Sequence, residues 1–236
     1  DGQGFLRLFG RSAGSDDVNP GFEQDGAELH TGVIDASDLL SILNAFPSDR
    51  AGTRLKGIAG LAERIGKESK PWVIARDRLG ANSQPVRAIL FDKNMTTNWS
   101  LDWHQDRTIA VAERKEVQGF RNWTVKQGIQ HVEPPFELLA NMVTLRIHLD
   151  DVGPDNAPLR IAPGSHKLGL LAEEDYASVV LQCGEVECLA KSGDIWSYST
   201  PILHASKMSA RPQRRRVLQV DYSASRLPAE LQWAGL

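Results

Sequence analysis

His104-Gln105-Asp106 places an imidazole and a carboxylate two residues apart in the β-like run 103–111. Side chains alternate across a strand, so His104 and Asp106 share a face. One histidine and one carboxylate are two legs of a 2-His-1-carboxylate triad, an arrangement that suits Fe(II) and leaves open coordination positions. The third leg must come from elsewhere. His204 is the candidate, 98 residues after Asp106 in the apolar run Pro201-Ile-Leu-His-Ala-Ser206. Beyond it, Arg214-Arg215-Arg216 opens the alternating run Val217-Leu-Gln-Val-Asp-Tyr222. Arg215, Val217 and Gln219 fall on one face there, and Arg216, Leu218 and Val220 on the other, so the three arginines cannot all point inward. An arginine at the mouth of a barrel grips a carboxylate in bidentate fashion, which a lysine cannot do. Of the other histidines, His131 and His148 have no partner pattern and read as surface or core residues. His166 reads as structural, and His30 as solvent-exposed.

The elements that must carry these residues are mostly short strands. After Pro71 the sequence breaks into β-like runs at 86–91, 99–103, 108–112, 142–149, 159–161, 186–189, 194–198, 202–205 and 217–222, with Gly, Pro, Asn or Asp in most gaps. That pattern predicts a sandwich or jelly roll. Short helices are expected near 134–141 and 172–181. The stretch 113–133 has no clear period, and such a connection often serves as a lid or substrate loop. Residues 1–32 read as irregular. A helix is expected from Asp35 through Leu39, Leu40, Ile42, Leu43 and Phe46, stopped by Pro47, and a weaker one over 53–66. We therefore expect one domain over 1–236, with an irregular and helical N-terminal layer (1–70) packed on a β core (71–236).

Trp103-His-Gln-Asp106, the segment Asp155-Asn-Ala-Pro-Leu-Arg-Ile-Ala-Pro-Gly-Ser-His166, and His204 followed eleven residues later by Arg215 together resemble the phytanoyl-CoA dioxygenase (PhyH-like) family. These are Fe(II)- and 2-oxoglutarate-dependent oxygenases, and the likeness runs over roughly 86–223. It implies a double-stranded β-helix core, with Fe(II), 2-oxoglutarate and O2 as cofactor and co-substrates. It implies that His104, Asp106 and His204 bind iron and that Arg215 and Ser206 bind the distal carboxylate of 2-oxoglutarate. Arg146 stands where the phytanoyl-CoA enzyme has a pocket-lining Trp. It would add a second charge for co-substrate or anionic substrate, or pair with an acid such as Asp150. Lys93 and Trp99 are further candidates to line the pocket. Family halogenases carry Gly or Ala in place of the triad carboxylate, so Asp106 favours hydroxylation. The family turn Asn-Gly is here Asn156-Ala157, which loses a residue tolerant of positive φ.

Composition narrows the rest. The 236 residues carry 27 Lys and Arg against 30 Asp and Glu, a net charge of −3. That argues against a protein that grips nucleic-acid backbones, and so against an AlkB-like base oxygenase. No concentrated basic patch for CoA phosphates is visible. No run of 18 apolar residues suggests a membrane span, and residues 1–10 lack the pattern of a secretory signal. Cys183 and Cys188 read as ordinary thiols of a reducing cytoplasm. The expected partner is a small-molecule substrate, with no nucleic acid and no membrane. A non-catalytic metal- or ligand-binding member of the fold and a cupin-type enzyme are the remaining rivals. Neither explains where Arg215 and Ser206 stand.

Overall fold

The computed structural model describes residues 20–46, 50, 52–211 and 213–236. In chain order the elements are α1 (Phe22–Asp25), β1 (Ala27–His30), α2 (Ala36–Leu43), β2 (Gly52–Leu55), α3 (Leu61–Ile65), α4 (Lys70–Leu79), β3 (Gln84–Lys93), β4 (Leu101–His104), β5 (Ile109–Val111), β6 (Arg121–Lys126), β7 (Ile129–Glu133), α5 (Phe136–Ala140), β8 (Met142–His148), β9 (Leu159–Ile161), α6 (Tyr176–Cys183), β10 (Val186–Cys188), β11 (Ile195–Ser199), β12 (His204–Ser206) and β13 (Arg215–Ser223). A six-stranded sheet runs β1-β11-β8-β13-β3-β2 and a four-stranded sheet β10-β9-β12-β4. A small sheet, β5-β7-β6, completes the molecule. The strand pairs are antiparallel throughout. This is the expected mainly β architecture of double-stranded β-helix type, with helices along one face.

Period-two alternation decides what each face of the large sheet holds. Its outer face presents Ala88 and Leu90 of β3, Val143, Leu145 and Ile147 of β8, Ile195 of β11, and Leu218, Val220 and Tyr222 of β13. These pack against Leu39 and Leu43 of α2, Leu61 and Ile65 of α3, and Trp72 and Ala75 of α4 in one cluster. Each large apolar side chain taken from water there contributes about 1.5–3 kcal/mol. Two hydrogen bonds fasten the helical layer. Tyr222 Oη donates to the Ile65 carbonyl at 2.7 Å, and Trp72 Nε1 to the Ser83 carbonyl at 2.8 Å. The inner face of the same strands is polar.

Several expectations are corrected. The weak helix over 53–66 is instead β2 plus the five-residue α3. Edge pairing of β2 with β3 (Gly52↔Phe91 to Leu55↔Ala88) captures 52–55, and left-handed Gly57 and Gly60 break any longer helix. Helix α4 begins where Pro71 suggested a boundary. Proline is tolerated in a first turn, and Ser69 caps the helix by accepting from Trp72 N. The stretch 113–133 is largely a β-hairpin, β6–β7, turned on Gln127 (φ 51°) and Gly128 (φ 78°). Residues 27–30, read as irregular, pair with β11. Helix α2 forms as expected, with Asp35 accepting from Ser37 N. Its expected stop at Pro47, and the irregular reading of residues 1–19, lie outside the described residues.

Candidate active site

β4 and β12 are adjacent, with His104 opposite His204 in register. The imidazole centroids are 4.2 Å apart. Asp106 follows β4 on the same face, and one ligand atom from each of His104, Asp106 and His204 lies within 4.8 Å of the others. Each histidine has Nδ1 near a carbonyl, Asp102 O at 2.7 Å for His104 and Ile202 O at 2.8 Å for His204. A proton on Nδ1 leaves the Nε2 lone pair free, the tautomer that ligates a metal. Burial, and then the neighbouring His104, pull His204 down to about 4, so its ring is neutral. Burial opposes ionisation of Asp106, but Arg87 and the two imidazoles outweigh it and hold the carboxyl below its ordinary range. Two imidazoles and a carboxylate fit a divalent iron ion.

Residues between and behind the triad set its geometry. Gln105 points away from Asp106. Its Nε2 donates to the Pro201 and Gly169 carbonyls at 2.8 and 3.0 Å, and its Oε1 accepts from Leu171 N. The approach to β12 is thereby tied to the His104–Asp106 segment. Ser165, within the Pro-Gly-Ser-His motif, accepts from Leu203 N at 2.9 Å and pins the residue before His204. His166 packs on Gly26, where an added Cβ would lie 2.2 Å from its Nδ1, so it is structural as expected. Behind Asp106, Arg87 is ion-paired to buried Asp221 and lies 3.6 Å from Asp106 Oδ2. Gln219 Nε2 reaches the same oxygen at 3.4 Å, while its Oε1 accepts from Arg146 Nη1 at 3.0 Å. Sequence reading missed Arg87, Gln105, Gln219 and Asp221 as site residues. Gln219 and Asp221 carried a signal, since they repeat the inward phase of Arg215.

A cavity of about 150 Å³ opens over the triad, lined among others by Trp99, Arg146, Ser206 and Arg215. Arg215 is 3% exposed. It donates through Nη1 to the Ala157 carbonyl, while its Nε and that of Arg146 are buried without a partner. Burial, and then Arg146, bring Arg215 down to about 9, which leaves it charged at pH 7. Two buried guanidiniums with unused donors fit the carboxylates of a bound 2-oxo acid. The Arg146–Asp150 ion pair is overturned. Asp150 is taken by Arg216, and Arg146 instead stacks over Phe91.

Lys93 departs most from expectation. It is fully buried but is not among the cavity-lining residues, and its Nζ donates to the Trp99 and Lys207 carbonyls at 2.7 and 2.9 Å. It braces the cavity wall from behind, 3.5 Å from Ser206 Oγ. Burial, then Arg215 and Arg146, lower it to about 7. His30 is not solvent-exposed, since its Nε2 lies 2.9 Å from Ser197 Oγ at the edge of β1. His131 and His148 are both core residues. Ala157 adopts φ 51° despite its Cβ, so the turn keeps its left-handed geometry without glycine. The two cysteines are free. Among the described residues no helix is long and apolar enough to cross a membrane.

A family model described as phytanoyl-CoA dioxygenase (PhyH) matches residues 49–217. The chain belongs to this family of iron- and 2-oxoglutarate-dependent oxygenases. No curated protein sequence matches it. Among solved structures it is similar to AviO1 from Streptomyces viridochromogenes Tue57, with TM-score 0.59 and 20% identity over 88% of this chain and 93% of that one. It is similar also to EctD from S. alaskensis with 2-oxoglutarate and 5-hydroxyectoine (TM-score 0.62, 18% identity, 91% and 77% covered). HygX from Streptomyces hygroscopicus with nickel and 2-oxoglutarate bound gives TM-score 0.58 at 15% identity, over 86% and 84%. At these identities the likeness concerns the fold.

Proposed function

We propose that this chain is an Fe(II)- and 2-oxoglutarate-dependent dioxygenase that hydroxylates an unactivated C–H of a small organic substrate, with release of succinate and CO2. The observation that carries the reading is convergence. His104, Asp106 and His204 share one small cavity with Arg215 and Ser206, although these residues come from three separate parts of the chain.

When bound, iron and 2-oxoglutarate together supply the oxidising chemistry, one atom of O2 going to the co-substrate and one to the substrate. The residues of the chain do the rest. Nε2 of His104, Nε2 of His204 and a carboxylate oxygen of Asp106 would hold the metal. Arg87 and Gln219 keep Asp106 ionised and oriented, the supporting role that partners behind metal ligands play. Arg215, with Ser206 beside it, anchors the far carboxylate of 2-oxoglutarate, and Arg146 adds a second charge on the same wall. Trp99, Phe91 and Leu159 supply apolar lining that limits water. Asp106 occupies the position whose loss marks halogenases, so hydroxylation is the favoured outcome.

The test is an anaerobic titration of the iron-loaded protein with 2-oxoglutarate, following the charge-transfer absorption of the chelated complex. The wild type shows a band and His204→Ala shows none. Arg215→Ala removes one partner of a buried charge pair and needs at least ~30-fold more 2-oxoglutarate. No band in folded, iron-loaded wild type refutes the oxygenase reading and leaves a metal-binding module.

A further inference from the structure

Cations converge at a second place on the cavity, away from Arg215. Arg54 on β2 and Lys126 at the end of β6 both line it. They lie 72 positions apart in sequence, which is why no basic patch was visible there. No carboxylate of the described residues forms an ion pair with either. The single acid on the cavity wall is Asp106, and Arg87 already faces it. Arg54 makes one weak side-chain contact, Nε to His131 Nε2 at 3.4 Å.

The two chain segments that carry these charges are tied to each other by a specific clamp. Gln127, in the turn directly after Lys126, accepts from Arg54 N through Oε1 at 2.8 Å and donates from Nε2 to the Gly52 carbonyl at 2.7 Å. That locks the β6–β7 turn to the edge strand β2. Bringing two unpaired cations together beside a third, Arg87, costs free energy in the empty protein. Partial burial lowers the proton affinity of both; the next cause is repulsion from Arg87 for Arg54, and from Arg54 and then Arg87 for Lys126, against a smaller opposing pull from Asp106. An anion entering between them reverses that cost.

We propose that Arg54 and Lys126 form the substrate-anchoring subsite of this oxygenase, and that the substrate carries a terminal anionic group, a carboxylate or phosphate, which they grip while the carbon to be oxidised faces the His104–Asp106–His204 triad. The inference rests on the oxygenase reading and specifies its substrate class. It gives the cavity two anion-binding ends. Arg215 and Arg146 take the co-substrate, and Arg54 and Lys126 take the substrate.

Calorimetric titration of protein saturated with Zn(II) and 2-oxoglutarate tests this, with butyrate, butyl phosphate and uncharged 1-butanol as probes. At least one anion should bind tenfold or more tightly than 1-butanol, and whichever binds better identifies the head group. Arg54→Gln and Lys126→Gln should each weaken that anion at least fivefold and leave 2-oxoglutarate affinity within twofold. Lys126→Arg should retain binding. Lys126 is exposed on the hairpin, so its variants do not threaten folding. Equal binding of 1-butanol and the anions overturns the proposal, as do Gln variants that bind like the wild type. A loss that falls on 2-oxoglutarate instead also overturns it, because the pair would then serve the co-substrate. Should the wild type take up no 2-oxoglutarate, the oxygenase reading fails, and the same probes on metal-free protein still read Arg54 and Lys126. Should it take up 2-oxoglutarate while the anions ignore the variants, this inference alone fails.

Discussion

His148 gives the sharpest link between the site and stability. It is 2% exposed at the end of β8, both ring nitrogens lack a partner, and the charges nearest it belong to Arg146 and Arg215. Burial, then Arg146 and Arg215, hold it down to about 3, against about 6.5 in an unfolded chain. A base with a depressed folded pKa is a liability in acid. Both states are neutral above pH 7. As pH falls below ~6.5 the unfolded chain binds a proton that the native chain refuses, so stability drops by up to ~1.4 kcal/mol per pH unit until the folded pKa is reached. Between pH 7 and pH 5 this amounts to about 2 kcal/mol. His148→Leu removes the group while nearly keeping its volume. Other histidines with lowered values, His131 among them, are common to both proteins and cancel in the difference. Urea unfolding at the two pH values reads it directly. With m of about 2–3 kcal/mol/M, the wild-type midpoint should fall by about 0.7–1 M more than that of His148→Leu. Equal falls would show that His148 is protonated in the native state, and that the arginine-rich inner face does not exclude a further positive charge.

Two further outcomes follow from the same wall. Gln219→Leu removes the 3.4 Å contact to Asp106 and the acceptor of Arg146 Nη1, so Fe(II) affinity, measured by competition with a chromophoric chelator, should fall about tenfold; unchanged affinity would show that Arg87 alone orients the carboxylate. Ala157→Gly relieves the φ 51° backbone of the residue whose carbonyl receives Arg215, and should raise stability by roughly 0.5–1 kcal/mol in urea unfolding while 2-oxoglutarate affinity stays within twofold.

What the sequence showed and what it hid separate along physical lines. Residues on β12 and β13 were legible because period two assigns faces without knowledge of partners. His204 with Ser206, and Arg215 with Gln219, came out on the predicted sides. The elements missed were those whose conformation is set by distant pairing. Residues 52–55 carry a helix-like apolar spacing, yet the edge of β3 captures them as a strand. Residues 121–133 are mostly polar and show no clear alternation; besides Val132 and Trp123, which pack in one apolar cluster, the hairpin is held by its turn and by Gln127 on β2. The Arg54–Lys126 pair was invisible for the same reason. The Arg146–Asp150 pairing failed because sequence proximity hid a better partner for Asp150, Arg216, which lies beside it only after β13 pairs with β8.

The inner face of the large sheet shows why this fold can host the site at all. β3 presents Arg87, Ile89, Phe91 and Lys93 inward, β8 presents Thr144, Arg146 and His148, and β13 presents Arg215, Val217, Gln219 and Asp221. An interior of this kind opposes folding, since each buried charge needs a partner. The outer face, whose apolar cluster is covered by α2, α3 and α4, supplies the burial that offsets it. The inner charges are then satisfied unevenly. Arg87 has Asp221, and Lys93 has two carbonyls, whereas Arg146 and Arg215 retain unused donors and Arg54 and Lys126 have no acid paired to them among the described residues. If the polar face existed only to fill space, the shortfall would be scattered over the sheet. Apart from His148, which sits on the same face outside the cavity lining, it falls on the cavity over the triad, where the side chains with unused donors are the cations Arg146 and Arg215. A cavity with that imbalance stabilises anions, and the metal-type triad lines the same cavity as both groups of cations.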